Sequence, residues 1–504
     1  MSVIRLSAFV AMACLLAGAR AEAPHTPQEW RNAAVSDIES AYQLTLENHP
    51  GAYDAANPAF KSNLSEARSA GLALAEQVND SAGYVAALQR FNTRIHDGHA
   101  GVYTSLGGSE KPARWPGFLT AWRSGGLYVS RTEAGGPALG SRVLACDGQP
   151  INTVIQNNVF AFRGHGEVAG HWWVYARNVF YERGNPFVRS PVSCEFELHG
   201  KQQVRQLVWS AAPAQAVKWH DEDYNGITLP VGLTEPRRRL LWIAMPTYQP
   251  DEAQQAAYHA LSKDLREHRE RLLTADAVVI DLRDNQGGSS FWSDELAQAL
   301  WGKGRVERRV HKQEAAMQVW WRASAANTAH VRQIADLTKA REGEAAGAEM
   351  KALASAMEEA RTKGEPFFVE KSPASYGQAN ADVDQQEDPA PFTRPVYVIV
   401  PGQCASACLD ALDVFKLFPN TKLVGAPSAA DSTYMEVRAQ ALDSGMAWAI
   451  IPVKVYVNRP RAAGQFYQPD IYLNELAWST ENFQKLIEKD LARNRKQPAL
   501  KPQS

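Results

Sequence analysis

The sequence predicts an α/β protein whose carboxy-terminal half is built on a parallel sheet, preceded by a β-rich unit and a helical amino-terminal unit. Three observations predict it. First, a strand over Leu240 to Ala244, a helix over Asp251 to Leu273 and a buried-looking strand over Ala277 to Leu282 follow one another, and that order implies parallel strands. The alternation resumes with a helix over Ser293 to Leu300, a strand over Val396 to Val400, a helix at Ser406 and a strand over Lys422 to Val424. Second, the middle of the chain carries short strands broken by glycines, such as Leu127 to Ser130, Arg142 to Ala145 and Cys194 to Leu198. Third, Pro27 to Thr45, Ala59 to Gln77 and Ser81 to Arg94 each space apolar residues on a polar background, which is a helical pattern.

With 504 residues, 45% of them hydrophobic and 21% charged, the chain has room for two or three domains with proper cores, and nothing in its composition suggests disorder. The formal net charge of −2 comes without the basic patch that nucleic acid or an anionic membrane requires, so neither is expected as a partner. Arg5, the apolar run Leu6 to Ala17 and the triplet Ala19-Arg20-Ala21 have the form of a secretory signal peptide cleaved after Ala21. That run is shorter than the ~20 residues needed to cross a bilayer. The mature protein is therefore expected to be secreted or periplasmic, with no membrane span after cleavage. Removing the leader, which holds Cys14, leaves Cys146, Cys194, Cys404 and Cys408 in a compartment where disulfides persist. Three connectivities are possible. Pairing Cys146 with Cys194 and Cys404 with Cys408 keeps each bridge inside one unit; free buried thiols are the alternative.

The expected division is a leader over 1–21, a helical unit over 22–110, a β-rich unit over 111–210 and a core over 236–480, with an insertion over 306–391. Asp147-Gly148 closes a strand with a hairpin turn, and an exposed strand edge in that unit offers a place for an extended peptide. The insertion reads as Ala-rich and Glu-rich helices with a polar stretch around Asn380 to Asp388. Its Trp320, Trp321, Phe367 and Phe368 either wall a cleft or simply pack, and packing is the plainer reading.

The chemistry concentrates at Pro401-Gly-Gln-Cys-Ala-Ser-Ala-Cys408, which follows the Pro395 to Val400 strand and opens a helix whose Cys408, Leu412 and Phe415 share one face. Ser406 at that helix start is either an ordinary N-cap or a nucleophile, because free N–H groups and the helix dipole stabilise negative charge there. Asp281-Leu-Arg-Asp-Asn-Gln-Gly-Gly288 leaves a second strand at the edge where open α/β sheets bind ligands. Gly287 and Gly288 either make a tight turn or aim an unobstructed N–H at a substrate oxygen, with the Ala407 N–H as its companion. In His96-Asp-Gly-His-Ala-Gly-Val102, His99 beside a glycine turn is the candidate base, its reference pKa of ~6.5 suiting proton transfer. His96 and His99 as metal ligands is the competing reading. No His-x3-His helix, Cys-x2-Cys pair or carboxylate cluster accompanies them, so neither metal nor other cofactor is expected. His49 reads as a cap of the Pro50 turn.

Together these segments, in this order, resemble the tail-specific or C-terminal processing serine peptidases. The resemblance covers Arg237 to about Leu473 well, the region 111–209 as a PDZ-like domain more weakly, and the helical start moderately. It implies a ClpP/crotonase-like core and peptide-bond hydrolysis through an acyl-enzyme on Ser406, with Gly288 and Ala407 as the oxyanion hole. Gly287 and, by a loose match to a carboxylate-binding loop, Gly117, Phe118 and Leu119 would hold a peptide or protein substrate. The processing branch carries a lysine base where this chain reads Val424-Gly-Ala-Pro-Ser-Ala-Ala-Asp431. Lacking it, the sequence is more similar to the tricorn-core branch, in which a histidine transfers the proton, here His99. Where that branch has a supporting Glu, this chain has Ala462-Ala463, and Asp431, Glu436 or Asp443 would stand in, Glu436 first. A catalytically inactive peptide-binding relative and an ester hydrolase are the alternative readings. Neither the oligomeric state nor the cleavage specificity is legible.

Overall fold

The computed structural model describes residues 23–106, 112–370 and 388–496. The leader over 1–21 lies outside them, and no described helix is long and apolar enough to cross a membrane.

The chain opens with three helices, α1 (Pro27–Asn48), α2 (Phe60–Ala75) and α3 (Ser81–Ile95). Thr26 and Glu29 form a capping box that starts α1, and Asp80 accepts from the Gly83 amide to start α3. Their apolar stripes meet in one cluster around Ile38, Leu64, Tyr84 and Phe91. Helix α3 ends at His96, whose φ of 58° is left-handed. The turn that follows leads into β1 (Gly101–Thr104).

Strands β2 (Phe118–Arg123), β3 (Gly126–Thr132), β4 (Arg142–Cys146), β5 (Ser193–Leu198) and β6 (Lys201–Gln206) form an antiparallel sheet in that spatial order. Asp147 and Gly148 take φ of 50° and 74° while Cys146 pairs with Gln149, the two-residue turn that Asp-Gly favours. Short helical turns fill the segment between β4 and β5. Cys146 and Cys194 face one another across β4 and β5 and are joined by a disulfide; Cys404 and Cys408 are joined likewise.

The core begins with β7 (Gly232–Arg237) and β8 (Leu240–Ala244), then α4 (Glu252–Glu267), β9 (Ala277–Asp281) and α5 (Phe291–Trp301). The single helix expected over Asp251 to Leu273 breaks at His268, whose ψ of 40° leaves helical geometry, and a short second helix follows. Between 306 and 391 the expected helices are α6 (Ala325–Glu342) and α7 (Glu344–Thr362). The segment also contains two strands, β10 (Gln318–Arg322) and β11 (Phe367–Glu370), which carry the four aromatics. Aromatic side chains stack well on a pleated surface, and Trp320 and Trp321 pair with Val369 and Phe368.

The chain then runs through β12 (Val396–Val400), α8 (Ala407–Phe415), β13 (Thr421–Gly425), β14 (Tyr434–Ala441), β15 (Ala447–Val457), β16 (Ile471–Tyr472) and α9 (Thr480–Lys496). The main sheet has the order β7-β8-β9-β12-β13-β16, with β7 antiparallel and the rest parallel. Every residue of β8, β9 and β12 is buried, which is why these strands read as continuous apolar runs. One face, through Ile243, Ile280 and Val398, packs on α4, α5 and α8. The other, through Trp242, Val279 and Ile399, packs on α9 and on Phe118, Val129 and Phe196 of the antiparallel sheet. A further sheet has the order β1-β15-β10-β11, with β14 on the other edge of β15. The first strand of the chain, two strands from the 306–391 segment and the long β15 thus share one ladder. Ala449, Ile451 and Val455 of β15 complete the core of α1 to α3.

The Cys146–Cys194 bridge closes a separation of 48 residues. Replacing both cysteines with alanine should cost about 2–4 kcal/mol, read as a lower urea midpoint by tryptophan fluorescence; an unchanged midpoint would mean the bridge contributes nothing.

Candidate active site

Ser406 stands where β12 gives way to α8, with φ 53° and ψ −128°. A side chain at positive φ is strained by about 1–3 kcal/mol and needs its surroundings to hold it. The Ser406 amide donates to Asp431 Oδ2 at 2.5 Å. Its carbonyl accepts from Leu409 and Asp410 at 2.8 and 3.1 Å, and the Cys404–Cys408 bridge spans the turn. Ala407 is the first residue of α8. No backbone or side-chain acceptor takes its N–H among the described residues, as expected of a first-turn amide.

The end of β9 brings a second backbone against this turn. A side chain on Gly287, whose φ is 108°, would put its Cβ 2.6 Å from the Ala405 carbonyl oxygen and 2.9 Å from Ser406 Cβ. Only glycine permits that approach. The Gly287 N–H is taken by Asn285 Oδ1 at 2.9 Å, and its carbonyl accepts from Tyr248. Ser289 donates to the Tyr248 carbonyl in turn. The Gly288 N–H between these bonds has no acceptor among the described residues.

His99 comes from the turn after α3. Its backbone N–H donates to Asp97 Oδ1 at 2.9 Å, its ring Nδ1 lies 4.0 Å from the same oxygen, and that Nδ1 is buried without a hydrogen bond. Asp97 is itself buried and collects donors from three places. Ser432 Oγ reaches Oδ1 at 2.8 Å and His49 Nε2 reaches Oδ2 at 2.8 Å. The Gly51 amide donates to His49 Nδ1 at 2.9 Å, so the proton sits on Nε2 and His49 is a neutral donor to Asp97. Its ring stacks on Phe60 with centroids 4.3 Å apart. Burial alone would raise the Asp97 carboxyl. The His49 hydrogen bond, with His99 nearby, outweighs burial and holds the carboxyl below its ordinary value.

Ser406, His99, Gly287, Gly288, Asp431 and Ser432 line one cavity of about 1720 Å³. Glu436 does not line it; its carboxylate pairs with Lys454 at 3.1 Å. Asp443 accepts from Ser36 and Ser40 of α1, away from the cavity. Gly117, Phe118 and Leu119 are not brought to it either: Phe118 is buried against Phe180 and Phe196, and Leu119 is buried beside Trp115. Neither Asp97 nor Ser432 stands out in the sequence, where His49 reads only as a cap. The signal for Asp97 was present in the His-Asp-Gly-His run, but its partners lie far off in the chain.

Residues 240–473 match the model of peptidase family S41. Over that stretch the chain is similar to the S41 peptidases. The match begins at β8 and ends just past β16, so it contains both the Gly287-Gly288 turn and Ser406. The whole structure is similar to mature CPAF, with a TM-score of 0.58 at 12% identity, covering 93% of this chain and 99% of that one. It is similar to mature CPAF complexed with lactacystin at a TM-score of 0.57 and 12% identity, covering 92% and 99%. At such identities the likeness is one of fold. No curated protein matches the sequence. The protein is a serine-type peptidase, a hydrolase.

Asparagine in place of Asp97 would set an amide N–H₂ against the His49 Nε2–H, a clash of donors worth about 1–3 kcal/mol. Because folding lowers the Asp97 pKa, its contribution is full above the unfolded value of about 3.9 and is lost as pH falls through the lower folded value. Urea midpoints of wild type and Asp97→Asn should therefore differ at pH 7, and the gap should narrow as pH falls below about 3.9. A gap independent of pH would contradict the lowered carboxyl.

Proposed function

We propose that the protein is an exported serine peptidase that cleaves peptide bonds through an acyl-enzyme on Ser406, with His99 as general base and Asp97 as its positioning carboxylate. The observation that carries this reading is that Ser406, His99 and Gly288 line one cavity, with the Gly288 amide and the Ala407 amide next to Ser406 taken by no acceptor among the described residues. His99 takes the Ser406 proton as the oxygen attacks the substrate carbonyl. The Gly288 and Ala407 amides receive the developing oxyanion, reinforced by the start of α8. The imidazolium formed on His99 faces the ionised Asp97, and it then protonates the leaving amine. Water repeats the sequence to release the acyl group. Asp97 thus fills the role the sequence reading offered first to Glu436.

The absence of lysine from the cavity lining among the described residues favours a histidine base over a lysine one. Buried Lys454 is engaged by Glu436 and by the faces of Trp321 and Tyr456. Export rests on the leader pattern and on the two disulfides, which suit an oxidising compartment. The antiparallel sheet of β2 to β6 is the PDZ-like element of the reading, and α1 to α3 the helical unit. The edge strand β6, exposed along most of its length, offers its free side to an extended peptide.

Ser406→Ala and His99→Ala should each reduce hydrolysis of a casein-type protein substrate on the order of a thousand-fold or more. Melting temperatures should stay within a few degrees of wild type, since neither side chain is a core packing element. A fluorophosphonate probe should label wild type at Ser406 and fail on Ser406→Ala. Unchanged turnover in either variant would remove that residue from the mechanism.

A further inference from the structure

Beside His99 the cavity wall carries a second polar cluster that peptide hydrolysis leaves unused. His96 ends α3, and His165 and Glu167 project from the loop 164–168 that precedes a short helix, Ala169–Tyr175. His96 Nδ1 lies 3.4 Å and His165 Nδ1 3.8 Å from the same Glu167 Oε1. One donor atom from each of the three residues falls within 4.8 Å of the others, and all three residues line the cavity. The two imidazoles stack with centroids 5.4 Å apart.

The loop that supplies two of these groups is built rather than loose. The Trp172 indole donates to the Gly166 carbonyl at 2.8 Å, and the His165 amide donates to His171 Nδ1 at 2.9 Å. Gly164, at φ 71°, lies so close to Tyr175 that a Cβ there would come within 2.5 Å of its ring. Residues 164–168 are thus fixed against the helix behind them, with the His165 and Glu167 side chains turned to His96.

We propose that His96, His165 and Glu167 form a Zn²⁺ site whose fourth position opens to the cavity. Two imidazoles and one carboxylate are the ligand set of an open tetrahedral zinc centre. Bonds of about 2.0–2.1 Å place such ligand atoms about 3.3 Å apart. Closing from the present spacing takes side-chain rotations of about an ångström, which His96 and Glu167, 46% and 63% exposed, are free to make. His165 is mostly covered and supplies the fixed point. A bound ion would join the turn after α3 to loop 164–168, two segments that line the same cavity as Ser406 but are far apart in sequence. The sequence reading weighed His96 with His99 and expected no metal. The fold supplies His96 with different neighbours, His165 and Glu167 from a distant loop.

The test uses the untagged full chain, stripped with chelator and titrated with Zn²⁺ alone by calorimetry and thermal unfolding. Saturable binding of one Zn²⁺ per chain is expected, with a melting temperature that rises with free metal. Co²⁺ in its place should give the intense visible absorption of a four-coordinate ion. His96→Asn and Glu167→Gln alter exposed side chains and should each weaken Zn²⁺ binding at least tenfold and suppress the rise in melting temperature. His99→Ala should bind as wild type does. Affinity unchanged in both ligand variants would overturn the proposal, as would absence of saturable binding below about millimolar Zn²⁺. So would loss of binding on His99→Ala with retention in Glu167→Gln, which would move the ion to the catalytic histidine.

Discussion

Two adjacent residues hold the halves of this site in register. Asp431 takes the Ser406 amide and helps hold that residue in its strained turn, while the Ser432 hydroxyl, one residue on, reaches Asp97 beneath His99. A dipeptide between β13 and β14 therefore contacts both the Ser406 turn and the carboxylate next to His99. The anion on Asp97 makes this arrangement compulsory. A buried carboxylate without partners is costly, and His49, Ser432 and the His99 amide together satisfy it. The loop after α1, the turn after α3 and the segment before β14 are thereby drawn to one point.

Packing supports the same convergence. Strand β15 pairs with β1, β10 and β14 and also buries Ala449, Ile451 and Val455 among the first three helices. The turn bearing His99 is thus anchored through β1 to a strand that follows Ser406 in the chain. On the main sheet, β9 and β12 lie side by side in parallel register, so their carboxy-terminal ends deliver Gly287-Gly288 and Ser406 to the same edge. The close approach of Gly287 to Ser406 is a direct result of that neighbouring placement.

What was legible in the sequence is what local pattern encodes. The buried runs of β8, β9 and β12 announce a parallel sheet because both faces must be covered. Ser406 stands out as a strand-to-helix turn, and the periods of α1 to α3 are clear within a few residues at each end. The strands β10 and β11 escaped notice because a short run of aromatics has no alternation of its own; pairing with β15 decides its conformation. The hub at Asp97 escaped for a related reason. Its partners His49 and Ser432 stand 48 and 335 residues away, and no spacing rule connects them. Phe118 and Leu119 show the reverse error: a glycine-aromatic-leucine run looks like a binding loop until the fold turns both side chains into the interior.

The weave through β15 also bears on how such an enzyme comes into being. The first helices leave the ribosome with one side of their core missing, and the strand that fills it is among the last long elements to be synthesised. Contacts between segments so remote form late, because the intervening chain must first be ordered at an entropic cost. Asp97, His99 and Ser406 therefore come to line one cavity only once synthesis is nearly finished. Until β15 is in place, β1 and the turn bearing His99 lack the strand that anchors them.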